Sequence, residues 1–285
     1  MSSNESTLDD TGERMVPELT EPRTFWEHLY RYRFASQFIC GKRVLDVACG
    51  EGYGTHGLLR AGAMSVIGVA ISEEACEHAR RKYGVDARCG SATELRIPDR
   101  SVDVVVSFET IEHIQNPALF VKECERVLAS DGVLVISTPN RQAYINEGSN
   151  NPFHCSELSE SEFCTMLRSK FESLRLYSQA AITAGVWSLR SLASLRPLWH
   201  RVRGYWRLQR ILCRSFPWYG SGASVRSAPA EVIAGRDSFL SNVLNPYRVR
   251  QRSAVSRERP TFFLAVCRKA TKPGTYSETN VIQDA

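Results

Sequence analysis

Three stretches of the chain place side chains that can hold a cofactor or move a proton. They are Asp46 with Gly50, Gly52 and Gly54 behind it, Phe108-Glu109-Thr110-Ile111-Glu112-His113, and Asn151-Pro152-Phe153-His154. In the first, the apolar run Val44-Leu45-Asp46-Val47-Ala48-Cys49 ends in glycines and reads as a buried strand, a tight turn and a helix. Glycine lets a backbone turn sharply and approach a ligand with no Cβ between, and the following helix offers N–H groups at its N-terminus. A Gly-x-Gly alone is an ordinary strand-to-helix turn. Asp46 makes it more, because a carboxylate inside an apolar strand is costly to bury without a polar partner. A nucleotide-like cofactor suits that arrangement.

The elements that must position these residues follow from periodicity. Apolar runs near 43–48, 65–70, 86–89, 102–107 and 132–137 alternate with helical patterns near 24–38, 54–61, 73–83 and 117–129. The alternation predicts βαβ units, hence an α/β, doubly wound, mostly parallel sheet covered on both faces. Glu160 to Phe171 reads as helical, while Glu172 to Ala180 and Thr261 to Cys267 read as extended. Ligands of such sheets lie beyond the carboxyl ends of the strands. The candidates for contact are therefore Asp46, Ala48, Gly50 and Gly52 on the first strand and its turn, and Ala70 and Ile71 after the second. Ser91 and Ala92 follow the third strand, and Phe108 and Glu109 the fourth.

The string from Val44 to Gly54 resembles the first motif of class I S-adenosylmethionine-dependent methyltransferases, and Phe-Glu-x-x-Glu-His at 108–113 resembles a string highly characteristic of the same family. The resemblance implies a Rossmann-like seven-stranded sheet closed by an antiparallel pair, with S-adenosyl-L-methionine as cofactor. It places Asp46 near the amino acid part of the cofactor, the loop of Ser91 at the adenine, and Phe108 and Glu109 beside the cofactor. Gly12 to Pro17 and Glu27 to Arg33 resemble segments that precede the cofactor domain in bacterial methyltransferases of glycan assembly, where such helices cover the cofactor. A sugar, glycolipid or related small-molecule acceptor is implied.

One position departs from the family. An acidic residue that accepts from the ribose hydroxyls usually stands where this chain has Ala70. Hydrogen bonds to a charged group contribute about 1.5–3 kcal/mol, so its loss weakens binding by about tenfold or more. Glu73 and Glu74 are candidates to replace it, and a non-catalytic scaffold relative is the alternative reading. A dehydrogenase needs an acid or a phosphate-binding arginine about 20 residues past the turn, which Ala70 does not supply.

A sulfonium methyl is already activated, so the protein must align donor and acceptor and, for a hydroxyl, remove a proton. Histidine suits that task near neutral pH. His154 is the first choice for acceptor contact or general base, and His113, oriented by Glu112, the second. Each has a structural reading too: His154 fixing its loop, His113 capping a helix start or orienting the cofactor loop. Nine cysteines form no Cys-x-x-Cys pair, and no metal-ligand spacing is legible, so no metal is expected.

The 285 residues divide into an N-terminal segment with a cofactor-covering helix (1–39), a core (40–181 and 259–270), an arginine-rich helical insertion or lid before the last strand (182–258) and a flexible tail (271–285). The formal net charge is +5, yet residues 182–257 hold 13 Arg against two acids, so the basic character is local. Trp187, Leu192, Trp199 and Trp206 at helical spacings beside Arg196, Arg203, Arg207 and Arg210 suit a lid or peripheral contact of 186–216 with an anionic membrane. RNA methylation ranks lower, because the spacing argues for helices with a buried side. No secretory start and no run long enough to span a bilayer is legible, and the cysteine usage fits a reducing compartment, so the expectation is cytoplasmic, with contact at the inner face of the membrane.

Overall fold

The computed structural model describes residues 15–17, 20, 22–147, 151–179, 249–252 and 260–269. The expected helices of 186–216 and the tail at 271–285 lie outside them, as do residues 1–14. In chain order the elements are α1 (Pro22–Ala35), β1 (Arg43–Val47), α2 (Tyr53–Arg60), β2 (Ser65–Ala70), α3 (Glu73–Tyr83), β3 (Asp86–Cys89) and β4 (Val102–Ser107). There follow α4 (Pro117–Val127), β5 (Leu128–Pro139), α5 (Arg141–Glu147), α6 (Glu160–Arg168), β6 (Ser173–Gln179), β7 (Val249–Gln251) and β8 (Phe262–Arg268).

The strands form one sheet in the order β3-β2-β1-β4-β5-β8-β6-β7. From β3 to β5 all pairings are parallel, and β8 runs antiparallel to both β5 and β6. The seven expected strands are present. Residues 249–251, counted within the insertion by sequence, add an eighth, pairing antiparallel with the outer edge of β6. The sequence also extends the fourth helix to residue 129, whereas the chain turns extended at Leu128 and enters β5 directly.

Both faces of the sheet are apolar because successive strand residues point to opposite sides. Leu45, Val105, Leu134, Ile136 and Phe263 pack beneath α4 and α6 with Phe120 and Phe163. Val44, Val104, Val106, Val135 and Leu264 pack beneath α1 and α2 with Phe34 and Leu58. The local signals agree with this plan. Ser72 caps α3, Asn116 caps α4 ahead of Pro117, and Ser159 with Glu162 forms a capping box on α6. Among the described residues, no helix is long and apolar enough to cross a membrane.

Asp46 is fully buried in the central strand and ties three elements together. Tyr32 of α1 donates to its two oxygens at 3.1 and 3.3 Å, and Thr55 of α2 donates at 2.7 Å. Gly54 makes room for this, since a Cβ there would run into the Tyr32 ring. Burial pushes the Asp46 carboxyl up to about 7, against the pull of the two hydrogen bonds. Gly52 serves packing: at φ +91° its Cβ would lie 2.5 Å from Ala79 Cβ on α3.

Two expectations follow. Gly52→Ala combines a steric clash with a left-handed backbone and should destabilise the fold by roughly 2 kcal/mol or more, measured by urea unfolding. Asp46→Asn tests the buried carboxyl. With a folded pKa of about 7 against an ordinary 3.9, unfolding releases a proton between these values, so stability falls as pH rises through that window and levels off above it. The asparagine variant should gain on the wild type by about 2.6 kcal/mol between pH 5 and pH 8, and parallel pH profiles would contradict the assignment.

Candidate functional site

The order of strands reverses between β1 and β4, and loops from both sides of that point enclose a cleft of about 1090 Å³. Of the residues singled out by sequence, Ala48, Gly50, Ala70, Ile71, Ser91, Ala92, Phe108, Glu109, His113 and His154 line it. Asp46 and Gly52 do not line it. Asp46 lies beneath its floor and reaches the cleft through Tyr32, because its oxygens are taken up by the two hydroxyls. Gly52 faces α3.

Three backbone positions around the rim are left-handed: Ala48 (φ 62°), Gly50 (φ 55°) and Glu109 (φ 50°). For the two non-glycines this costs on the order of 1 kcal/mol each, strain of a kind that gathers at binding sites. Glu109 is held in place by Ser137, whose hydroxyl donates to its carboxylate at 2.7 Å and receives its N–H at 3.2 Å. The glycine turn is anchored from below by buried Glu51. That carboxylate accepts from Tyr83 at 2.8 Å and from Lys82 at 3.2 Å, and lies 3.0 Å from His78.

On the β2–β3 side the cleft is weakly polar. Ala70 places no carboxylate at the end of β2, and Ile71 beside it is 78% exposed. Glu73 does not fill the gap: it pairs with Arg80 at 2.7 Å, and neither it nor Glu74 lines the cleft. The Ser91 hydroxyl caps its own turn, accepting from Thr93 N–H at 3.2 Å with the Thr93 hydroxyl 2.8 Å away.

Helix α1 closes the cleft and supplies what the sequence did not single out. Arg31 is fully buried, donates to Gln179 at 2.8 Å and lies 4.4 Å over the Phe262 ring. Among the described residues, its Nε and other terminal nitrogen have no hydrogen-bond partner. Such a guanidinium in a cleft fits the carboxylate of an amino acid moiety. Tyr32 stacks edge-on against Phe108 at 5.0 Å. His28 lies 3.0 Å from the Tyr53 hydroxyl, and burial, then the charge of Arg31, hold its pKa well below the ordinary value.

On the β4–β5 side, Glu112, His113, Tyr144 and His154 come together. The two imidazoles meet edge to face at 4.9 Å, and Tyr144 lies 5.5 Å from His154. His113 Nδ1 donates to the Phe153 carbonyl at 3.1 Å, and His154 Nδ1 pairs with Glu157 at 3.1 Å. Glu112 is fully buried, and among the described residues neither carboxylate oxygen meets a donor in good hydrogen-bond geometry. Burial, then the charge of Glu109, push its carboxyl well above the ordinary range. Tyr144 stands on α5, a helix the sequence pattern did not suggest. Glu157 follows His154 by three residues, a spacing that could have flagged it.

Residues 45–136 match the family described as "Methyltransferase domain". A "Probable S-adenosylmethionine-dependent methyltransferase" of Mycolicibacterium smegmatis is 42% identical over 167 residues, 57% of this chain and 64% of that protein. A "Ubiquinone biosynthesis O-methyltransferase" of Neisseria meningitidis is 36% identical over 110 residues, 36% of this chain and 46% of that one. The chain thus spans less than two thirds of either relative. In fold it is similar to a solved S-adenosylmethionine-dependent methyltransferase of Thermotoga maritima, described as a possible histamine N-methyltransferase, at 18% identity and a TM-score of 0.55 over 87% of this chain and 93% of that one. This sheet order, the glycine turn beside buried Asp46 and the Phe108 to His113 string facing the same cleft accompany the match of residues 45–136 to a methyltransferase domain, and over that stretch the chain is similar to class I S-adenosylmethionine-dependent methyltransferases.

Proposed function

We propose that the protein transfers the methyl group of S-adenosylmethionine to a hydroxyl of a small molecule, a sugar or glycolipid being the class implied by its motifs. The observation that carries this reading is the gathering of Glu112, His113, Tyr144 and His154 on the β4–β5 side of a cleft whose other residues suit the cofactor. When bound, the cofactor supplies a methyl group on a positively charged sulfur. Gly50 admits a close backbone approach, Arg31 takes the carboxylate, and Phe108 with Tyr32 gives an aromatic wall. His154, oriented by Glu157, faces the acceptor hydroxyl. Relatives named as ubiquinone biosynthesis O-methyltransferases support an oxygen acceptor. Exposed Ile145 and Phe153, 61% and 42% accessible next to Tyr144 and His154, suit an acceptor with an apolar portion.

Ala70 favours a second reading, a cofactor-binding scaffold without turnover. Titration calorimetry followed by transfer assays with methyl-labelled cofactor and a panel of hydroxylated acceptors separates the two. Binding below millimolar concentration with label in an acceptor is expected; binding without transfer would favour the scaffold, and no binding at millimolar cofactor would reject both. Ala70→Asp should tighten the cofactor by about tenfold, an added charge-assisted hydrogen bond to the ribose. His154→Ala should lower turnover of the acceptor by about a hundredfold while leaving the cofactor Kd unchanged, because it stands on the acceptor side.

A further inference from the structure

Glu112 and His113 are adjacent on the short 3-10 turn Ile111–His113 after β4, and the loop carrying His154 is pinned onto that turn. The Glu112 carbonyl accepts from Cys155 N–H at 2.8 Å and from Ser156 N–H at 3.1 Å, and Cys155 Sγ lies 3.4 Å from the His113 carbonyl. One carboxylate oxygen and one nitrogen from each imidazole come within 4.8 Å of one another. We propose that Glu112, His113 and His154 bind one divalent transition-metal ion beside the acceptor.

Four observations support the site. First, an ion about 2.0–2.2 Å from three ligands holds them about 3–4 Å apart, so small side-chain rotations close the cluster. Second, Glu112 is fully buried and lines the cleft, and among the described residues neither carboxylate oxygen meets a donor in good hydrogen-bond geometry, an arrangement that costs free energy until a cation or donor meets it. Third, both histidines carry the outer contact that orients a metal-bound imidazole. His113 Nδ1 must be protonated to donate to the Phe153 carbonyl, and His154 Nδ1 faces the Glu157 carboxylate, which puts the lone pair of each ring on Nε2. Fourth, two imidazoles with one carboxylate form a donor set that suits Fe²⁺, Mn²⁺, Co²⁺ or Zn²⁺ better than Mg²⁺ or Ca²⁺, and three protein ligands leave positions open for an exogenous oxygen.

The spacing of these residues in sequence conceals the cluster: His154 lies 41 positions beyond His113, and only the fold joins them. Binding of the ion stands on this geometry alone, while its use rests on the proposed methyl transfer. An acceptor hydroxyl on an open position would lose its proton to water more readily, the O–H pair staying on oxygen. The histidines then act as ligands, and no side chain has to take the proton.

The test uses the full chain, stripped with a chelator and titrated with Co²⁺ as the probe, followed by calorimetry and visible absorption. One Co²⁺ per chain is expected, with d–d bands, no near-ultraviolet thiolate band, and displacement by Zn²⁺. Glu112→Gln and His154→Gln should each weaken Co²⁺ by at least about tenfold while S-adenosylmethionine binding and far-ultraviolet circular dichroism stay as in the wild type. No Co²⁺ binding by the wild type at millimolar concentration, a thiolate band from cysteine ligation, or Co²⁺ affinity unchanged in both folded variants would overturn the site. Co²⁺ bound as described without any S-adenosylmethionine binding would uphold the metal site and defeat the proposed methyl transfer instead.

Discussion

Asp46 lies in the central strand with no exposed surface, and a carboxylate there is tolerable only with donors on it. Its two hydrogen-bond partners come from different helices, Tyr32 on α1 and Thr55 on α2. That pairing draws α1 over the sheet and sets the Tyr32 ring against Phe108 at the end of β4. From this follow the burial of Arg31 one residue earlier, its contact with Gln179 at the end of β6, and the roof of the cleft. A single buried charge site thus couples both halves of the sheet to the helix that closes over them.

The cleft is chemically lopsided, and the lopsidedness follows strand order. Loops after β2 and β3 contribute small or apolar groups, Ala70, Ile71 and Ala92, with a Ser91 hydroxyl spent on its own turn. Loops after β4 and β5 contribute carboxylates, imidazoles and a phenol. The first side therefore offers a bound group mainly shape and backbone contacts, whereas the second side offers titratable side chains. Left-handed Glu109 sits between them, its conformation locked by reciprocal hydrogen bonds to Ser137 on β5.

Several parts of this arrangement were legible in the amino-acid sequence. Apolar alternation gave every strand of the parallel half to within a few residues, because residues buried on both faces leave continuous apolar runs. Ser72, Asn116 with Pro117, and Ser159 with Glu162 mark helix starts through local hydrogen bonding. The three-residue strand Val249–Gln251 was not legible, since its extended conformation depends on pairing with the edge of β6. Helix α5 escaped for a similar reason: seven residues following Asn140 carry too little periodicity to stand out.

The glycine turn shows the same division. Sequence alone determined that a buried carboxylate precedes a tight turn, since apolar neighbours and glycine spacing act locally. Tertiary structure decided what each residue does there: Gly52 yields to Ala79 on α3, Gly54 to the Tyr32 ring, and Asp46 meets hydroxyls rather than the cleft. Likewise, sequence placed His113 and His154 in loops at the ligand side of the sheet, but their meeting over Glu112 arises from contacts between residues 40 or more positions apart. Backbone propensity and hydrophobic period fix what lies near in the chain, whereas the partner of a buried polar group is chosen by whichever elements pack against it.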